Sequence, residues 1–308
     1  MQTILGSSGA IGTVLAKELK HYTDKIRLVS RNPAAINNDD ELYPANLKDY
    51  STIDGAVAGS EVVYLTVGFE YDIKVWRKVW PEVVSHVIDA CARHKAKLVF
   101  FDNVYMYDIK AIPHMTEDSP MNPPSKKGAV RKQLVEMIFE AVEAGRIQAL
   151  IARAADFYGP KNETSFLIET IAKPLKQGKR ANILGAADKK HSYTYTPDAA
   201  KAVAILGNTP DAYNQIWHMP THRDTLTQKE WLDVFAQEMR IDKPRYNVIP
   251  KWVIGLMGFF VPFMRETHEM LYQFDRDYFL DSSKFEKRFN FKPTPYHEGA
   301  RETVKAMK

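Results

Sequence analysis

The chain has 308 residues, 45% of them hydrophobic and 26% charged, enough to bury a full core; disordered, collagen-like and disulfide-scaffold classes are excluded. Its 42 Lys and Arg against 38 Asp and Glu leave a formal charge of +4, too mild for a nucleic-acid binder. The single cysteine, Cys91, permits neither an internal disulfide nor a cysteine metal cluster, and it fits a reducing cytosol.

The opening Met1–Leu5 runs straight into a glycine loop, without the charged region and cleavage site of a leader, so a cytoplasmic protein is expected. In chain order, strands are predicted at Gln2–Leu5, Lys25–Ser30, Glu41–Ala45, Glu61–Thr66, Lys97–Phe101 and Ile147–Ala152. Several are continuous apolar runs, as strands covered on both faces must be. Between them, helices are predicted over Ala10–Leu19, Val75–His94 and Ala129–Ala144. The second of these sets Trp76, Trp80, Val83, Val84, Val87 and Cys91 at helical spacing, a helix–helix interface rather than a cofactor box. Alternation with connections this short predicts an α/β, Rossmann-type, doubly wound parallel sheet.

Residues 1–160 are assigned to a nucleotide-binding Rossmann core. Residues 161–308, punctuated by proline, are assigned mainly to a smaller C-terminal substrate-binding lobe, with some segments returning to the core. The apolar stretch Trp252–Met264 is broken by Gly255, Gly258 and Pro262 and is too short to span a bilayer. It is read as lobe core, with a lid helix or an interface as the other readings.

The loop Gly6-Ser7-Ser8-Gly9-Ala10-Ile11-Gly12 follows the first strand and opens the first helix. Glycine at 6 permits a tight turn, at 9 close approach to a pyrophosphate, and at 12 helix-on-strand packing, with free helix N–H groups facing the anion. The second strand ends in Ser30-Arg31, where an NAD-specific site carries a carboxylate for the ribose 2′-hydroxyl. Arginine there suits a 2′-phosphate, so NADP is preferred over NAD, unless Arg31 is a plain solvated turn residue. Thr66-Val67-Gly68 ends the fourth strand at the level where such a sheet meets its cofactor.

Together with Phe101-Asp-Asn-Val-Tyr-Met-Tyr107, Arg153-Ala-Ala-Asp-Phe-Tyr-Gly-Pro160, His191-Ser-Tyr-Thr-Tyr-Thr-Pro-Asp198 and Asp281-Ser-Ser-Lys284, these motifs resemble the extended short-chain dehydrogenase/reductase superfamily, in its NAD-dependent epimerase/dehydratase branch. The resemblance runs through nearly the whole chain. It implies a catalytic tyrosine four residues before a lysine, and no tyrosine here has one. Matching Glu136 to the family pattern puts the lysine at Lys132 and the tyrosine's place at Gly128, which cannot move a proton. Asn103 falls where the family has serine or threonine. Asp156 replaces an asparagine, and His191 stands about where an arginine would grip a diphosphate, which disfavours a nucleotide-diphosphate sugar. The resemblance also implies that the Trp76 helix and the lysine's helix build a homodimer contact.

The candidate catalytic residues are therefore Asn103, Tyr105, Tyr107, Lys132 and Asp156. Asn103 is a substrate-oxygen ligand or a turn former, and Lys132 a ribose ligand or a solvated lysine. Tyr105 and Tyr107 are substitute phenols near Lys132 or Arg131, or packing residues. Asp156 is an acid/base or the partner of Arg153. The substrate candidates are Tyr158, His191 and Tyr195. His114 and His218 lack ligand-like spacing, so no metal is expected.

The expected function is an NAD(P)-dependent oxidoreductase or epimerase/dehydratase-like enzyme for a small polar, sugar-related metabolite, with an unorthodox proton donor. The alternatives are a catalytically inactive NAD(P)-binding regulator or redox sensor, and a non-redox lyase or isomerase. A small-molecule substrate is expected, with neither nucleic acid nor membrane as partner.

Overall fold

The computed structural model describes residues 1–162 and 165–307. Strand and helix alternate as β1 (Gln2–Leu5), α1 (Ala10–Leu19), β2 (Ile26–Ser30), β3 (Glu41–Pro44), α2 (Ser51–Val57), β4 (Val62–Leu65), α3 (Ile73–His94), β5 (Lys97–Asp102), α4 (Lys126–Glu143) and β6 (Ala149–Arg153). The chain continues through β7 (Asp156–Tyr158), α5 (Lys173–Lys176), β8 (Ala181–Leu184), β9 (Tyr193–Tyr195), α6 (Thr196–Gly207) and β10 (Ile216–His218). It ends with α7 (Gln228–Glu238), β11 (Tyr246–Ile249), α8 (Lys251–Met257), α9 (Pro262–His268), α10 (Ser283–Phe289) and α11 (Tyr296–Ala306).

The central sheet has the order β10-β6-β5-β4-β1-β2-β3. β1 pairs in parallel with β2 on one side and β4 on the other, Leu5 lying opposite both Val29 and Leu65. The order reverses there, which opens a crevice at the carboxyl ends of β1 and β4. Every residue of β1, β4 and β6 is buried, as the apolar runs require of strands covered on both faces. This is the Rossmann-type α/β sheet expected from the sequence.

Helix α3 starts where the Asp72 carboxylate accepts the N–H groups of Lys74 and Val75. Its apolar stripe, Trp76, Val83, Val87 and Cys91 among it, is buried, and it stops at Lys95, in the left-handed region at φ +55°. Trp76 and Trp80 are buried inside their own chain, so they pack within it as a helix interface.

The chain divides into two compact units. The first comprises Met1–Met106, Lys127–Arg153 and Ala199–Trp217; the second comprises Tyr107–Lys126, Ala154–Asp198 and the chain from His218 onward. In the second unit, two short parallel pairs, β7 with β9 and β8 with β11, border a core of Tyr158, Leu167, Ile171, Trp231, Phe235 and Tyr296. Trp252–Met264, expected as core, is largely exposed instead. Within α8 only Ile254 is fully buried, because the stretch folds as a short hairpin of α8 and α9 that presents one thin side inward.

Candidate functional site

At the end of β1 the backbone turns at Gly6 with φ +103°, a conformation open to glycine. A Cβ at Gly6 would lie 2.6 Å from the Val67 backbone, and one at Gly12 would lie 2.6 Å from the Gly6 carbonyl oxygen. The turn therefore lies flat against the end of β4, with α1 drawn tightly onto it. Gly6 and Ser7 donate their N–H groups to the Val29 carbonyl at 2.9 and 3.1 Å, which ties the turn to β2. Gly9 caps α1 and no side chain caps the helix, so the first-turn N–H groups carry their partial positive charge toward the turn.

A cleft of about 580 Å³ opens here. Of the residues expected to hold a dinucleotide, Gly6, Ser8, Gly9, Ser30, Arg31, Thr66, Val67 and Gly68 line it. Ala10, Ile11, Gly12 and Lys132 do not; Ile11 and Gly12 are buried in α1, where they set its packing. The Ser8 hydroxyl donates to Ser30 across the turn at 2.8 Å. Sequence reasoning missed Asn46, Leu47, Lys48, Phe69 and Glu70, which also line it. Lys48 and Glu70 form an ion pair at 2.9 Å. The hydrogen bond from Lys48, with the nearby charge of Arg31, holds the Glu70 carboxyl below the usual carboxylate range. The lining fits a dinucleotide: a helix start that no side chain caps for phosphates, the cations Arg31 and Lys48 beside the Glu70 carboxylate, and glycine at 6 where a Cβ would meet backbone.

At the end of β5, Asp102 is buried and accepts from Arg131 Nε at 2.7 Å, with Arg153 Nε 3.7 Å away. The Arg131 guanidinium lies 4.5 Å from the ring centre of Trp80 and 5.1 Å from that of Phe100. Lys127, also buried, sits 4.7 Å over the Tyr71 ring. Tyr105 stacks on Trp76 at 6.3 Å, and its N–H donates to the Asn103 side chain at 3.0 Å. The side-chain oxygen of Asn103 is thus used in a local turn. Lys132 is 38% exposed and pairs with Glu136 at 3.6 Å. The cations that α4 turns inward are Lys127 and Arg131. Both lie on the stripe that continues through Leu134, Ile138 and Ala141, and that spacing was the available signal.

In the second unit, His191 Nε2 donates to the Asp156 carboxylate at 2.8 Å. The imidazole is 1% exposed and stacks on Tyr278 at 4.1 Å and on Phe274 at 4.7 Å, which fixes its plane. Asp156 keeps 15% of its side chain exposed. Arg153, its other expected partner, lies beside Asp102 instead.

Tyr107 is fully buried, its hydroxyl 2.6 Å from His218 Nε2. His218 Nδ1 faces the Asp281 carbonyl at 2.8 Å; a carbonyl only accepts, so Nδ1 carries the proton and Nε2 accepts from the phenol. The Glu117 carboxylate accepts the His218 backbone N–H at 3.0 Å, and burial pushes its pKa above the ordinary value. Tyr158 lies in the aromatic core, its ring centre 5.0 Å from Trp231 and 5.2 Å from Tyr195. Burial raises the phenol of Tyr158 well above its ordinary value and pushes that of Tyr195 up to about 12. Alternation along β7 puts Asp156 and Tyr158 on one face, so one strand carries a partly exposed carboxylate and a core ring. Among the described residues no cluster of His, Cys, Asp or Glu could hold a metal ion.

The sheet order and the glycine turn at its switch point define a nucleotide-binding α/β protein of the Rossmann type. Residues 3–218 match the profile described as the NAD dependent epimerase/dehydratase family, and the chain belongs to that family. Among solved structures it resembles a UDP-N-acetylglucosamine 4-epimerase from Methanobrevibacter ruminantium in complex with UDP-N-acetylmuramic acid (TM-score 0.79, 16% identity, 99% of this chain and 97% of the other). It also resembles a dTDP-glucose 4,6-dehydratase from Streptomyces venezuelae with NAD bound (0.78, 15%, 99% and 96%). A third is the UDP-glucose 4-epimerase of Thermus thermophilus in complex with NAD (0.77, 16%, 99% and 98%). No curated protein matches the chain in sequence.

Proposed function

We propose that this chain binds NADP, in preference to NAD, in the cleft at the ends of β1, β2 and β4. It then acts as an oxidoreductase or epimerase/dehydratase-like enzyme on a small polar, sugar-related metabolite. The observation that carries the reading is the glycine turn, where a Cβ at Gly6 or Gly12 would meet backbone at 2.6 Å, at the start of a helix whose first turn no side chain caps. Family membership and the NAD named for two of the solved structures support it. Bound nicotinamide dinucleotide supplies reversible hydride exchange at its nicotinamide ring. Arg31 and Lys48, the cations of the lining, are the groups for the 2′-phosphate, and Lys132, outside that lining, is assigned to ribose hydroxyls from its place in the family pattern.

Asp156 is the residue we assign to proton transfer. The phenol of Tyr107 is committed to His218, and glycine occupies the place of the family tyrosine. The Asp156 carboxylate is oriented by a clamped imidazole while part of it stays open to solvent. Its negative charge supports a substrate without a diphosphate.

The test is a panel of carbonyl metabolites and sugar nucleotides followed by NADPH consumption. Asp156→Asn is expected to lower kcat about 10²- to 10⁴-fold, as loss of a general acid/base does, and Tyr105→Phe to leave kcat nearly unchanged. Coenzyme binding without turnover on any substrate would favour the regulator or redox sensor. Arg31→Ala is expected to weaken NADPH binding about tenfold or more, the worth of a charged hydrogen bond, and to spare NADH. Tighter binding of NADH than NADPH by the unaltered protein would remove the role given to Arg31.

A further inference from the structure

Of the large apolar side chains left exposed by the described residues, all but Tyr22, Leu42 and Val248 lie between Trp252 and Phe263. The α8–α9 hairpin concentrates them. Ile254 and Met264 pack inward against Leu271 and Phe274, which anchors the hairpin. At the crossing, a Cβ on Gly258 would lie 3.0 Å from Arg265 Cα, so glycine lets the two arms close tightly. The turn between the arms then projects Phe259 and Phe260, each 84% exposed, with Trp252 at 71% on the outer side of α8. A patch of this kind is a protrusion, and apolar patches kept in water mark a surface that meets something else.

Charge says what that is. Residues 243–265 contain Lys243, Arg245, Lys251 and Arg265 and no acidic side chain. Lys251, at the start of α8, and Arg265, opposite Gly258 at the crossing, are both exposed, whereas the next carboxylate along the chain, Glu266, 4.0 Å from Arg265 Nε, is buried. Tryptophan and phenylalanine exposed on one short hairpin, with an exposed lysine and arginine among them and its carboxylate buried, match a lipid interface, where apolar side chains enter the acyl boundary and cations meet anionic headgroups. No helix among the described residues is long and apolar enough to cross a membrane, so the hairpin can lie on a bilayer without spanning it.

We propose that the α8–α9 hairpin is a peripheral anchor that inserts Phe259, Phe260 and Trp252 into the surface of a membrane containing anionic lipid. This reverses the expectation, from composition alone, that the chain meets no membrane. It is independent of the dinucleotide cleft, whose residues lie in the other unit.

The whole chain is mixed with vesicles of phosphatidylcholine alone, or of phosphatidylcholine with phosphatidylserine, and floated on a density gradient. The protein is expected to float with the anionic vesicles, and less so as salt is raised. Phe259→Ser with Phe260→Ser abolishes flotation, and Lys251→Glu with Arg265→Glu weakens it at least about tenfold, each lysine or arginine near an anionic surface being worth about fivefold. All these positions are exposed, and unchanged thermal unfolding of the variants confirms that the fold is kept. Tryptophan emission gives a second readout. Trp76, Trp80, Trp217 and Trp231 are already buried, so a blue shift on adding vesicles comes from Trp252 and vanishes in Trp252→Phe. Protein that stays unbound by both kinds of vesicle, with no emission shift, overturns the proposal. So does light scattering that shows a dimer which Phe259→Ser with Phe260→Ser converts to a monomer without any vesicle binding, since the occupant is then a second copy.

Discussion

At Gly12 a single methyl group meets two backbone atoms, the Gly6 carbonyl oxygen at 2.6 Å and Ser7 Cα at 2.8 Å, and neither can swing away as a side-chain end would. Gly12→Ala is therefore expected to push α1 off the turn at a cost of about 1–3 kcal/mol, measured by denaturant unfolding. Arg131 carries a larger stake. Its removal leaves buried Asp102 with the Asn103 N–H and, at 3.7 Å, Arg153, and strips a cation from the faces of Trp80 and Phe100. Arg131→Leu is expected to destabilise the protein by about 3–5 kcal/mol in the same assay; a loss under about 1 kcal/mol would mean that the pair adds nothing beyond its packing. At this scale the glycines were legible, because their spacing encodes the turn directly. The pairs were not: His191 lies 35 residues from Asp156 and His218 lies 111 from Tyr107, and no local pattern announces such contacts. On α4, Glu136 drew attention to Lys132, while burial marks Lys127 and Arg131 as the cations taken into the core.

Among elements, continuous apolar runs and period-3.6 patterns gave strands and helices close to their observed bounds in the first half, because each carries its own burial signature. The short helix α2 (Ser51–Val57) went unseen, its buried positions being only Ile53, Ala56 and Val57. The lining residues from Asn46 to Lys48 sit in the loop before it, and a loop has no period to read. The α8–α9 hairpin failed for the opposite reason: its apolar run resembles core, and only the fold shows which side faces inward. On α3, Cys91 is fully buried and burial pushes its thiol up to about 12, so little thiolate forms near neutrality. In the folded protein it is expected to resist a thiol reagent such as dithionitrobenzoate, with one equivalent reacting after guanidinium is added. Rapid reaction of the native protein would show that α3 opens from the sheet.

For the whole molecule, the two units interleave along the chain, with Tyr107–Lys126 and Ala199–Trp217 each belonging to the unit opposite to their sequence neighbours. The expected boundary at residue 160 allowed for segments returning to the core, as Ala199–Trp217 does, but composition alone does not mark which segments cross, and Tyr107–Lys126 crosses the other way. Global stability should carry the mark of Glu117. Burial raises its folded pKa above the ordinary 4.5, so below that value both folded and unfolded states hold the proton. As pH rises through 4.5 the unfolded chain releases it first, and stability falls until the folded carboxyl ionises as well. Urea unfolding from acid to neutral pH is expected to show the unaltered protein losing stability relative to Glu117→Gln as pH rises; parallel profiles would contradict it. The dinucleotide site at the turn between β1 and α1 is tested most directly by titration calorimetry of the folded, unaltered chain with NADPH and NADH. Saturable heats at one site per chain, with NADPH the tighter ligand, are the predicted result. A protein that unfolds cooperatively yet gives no heat with either coenzyme would contradict the account.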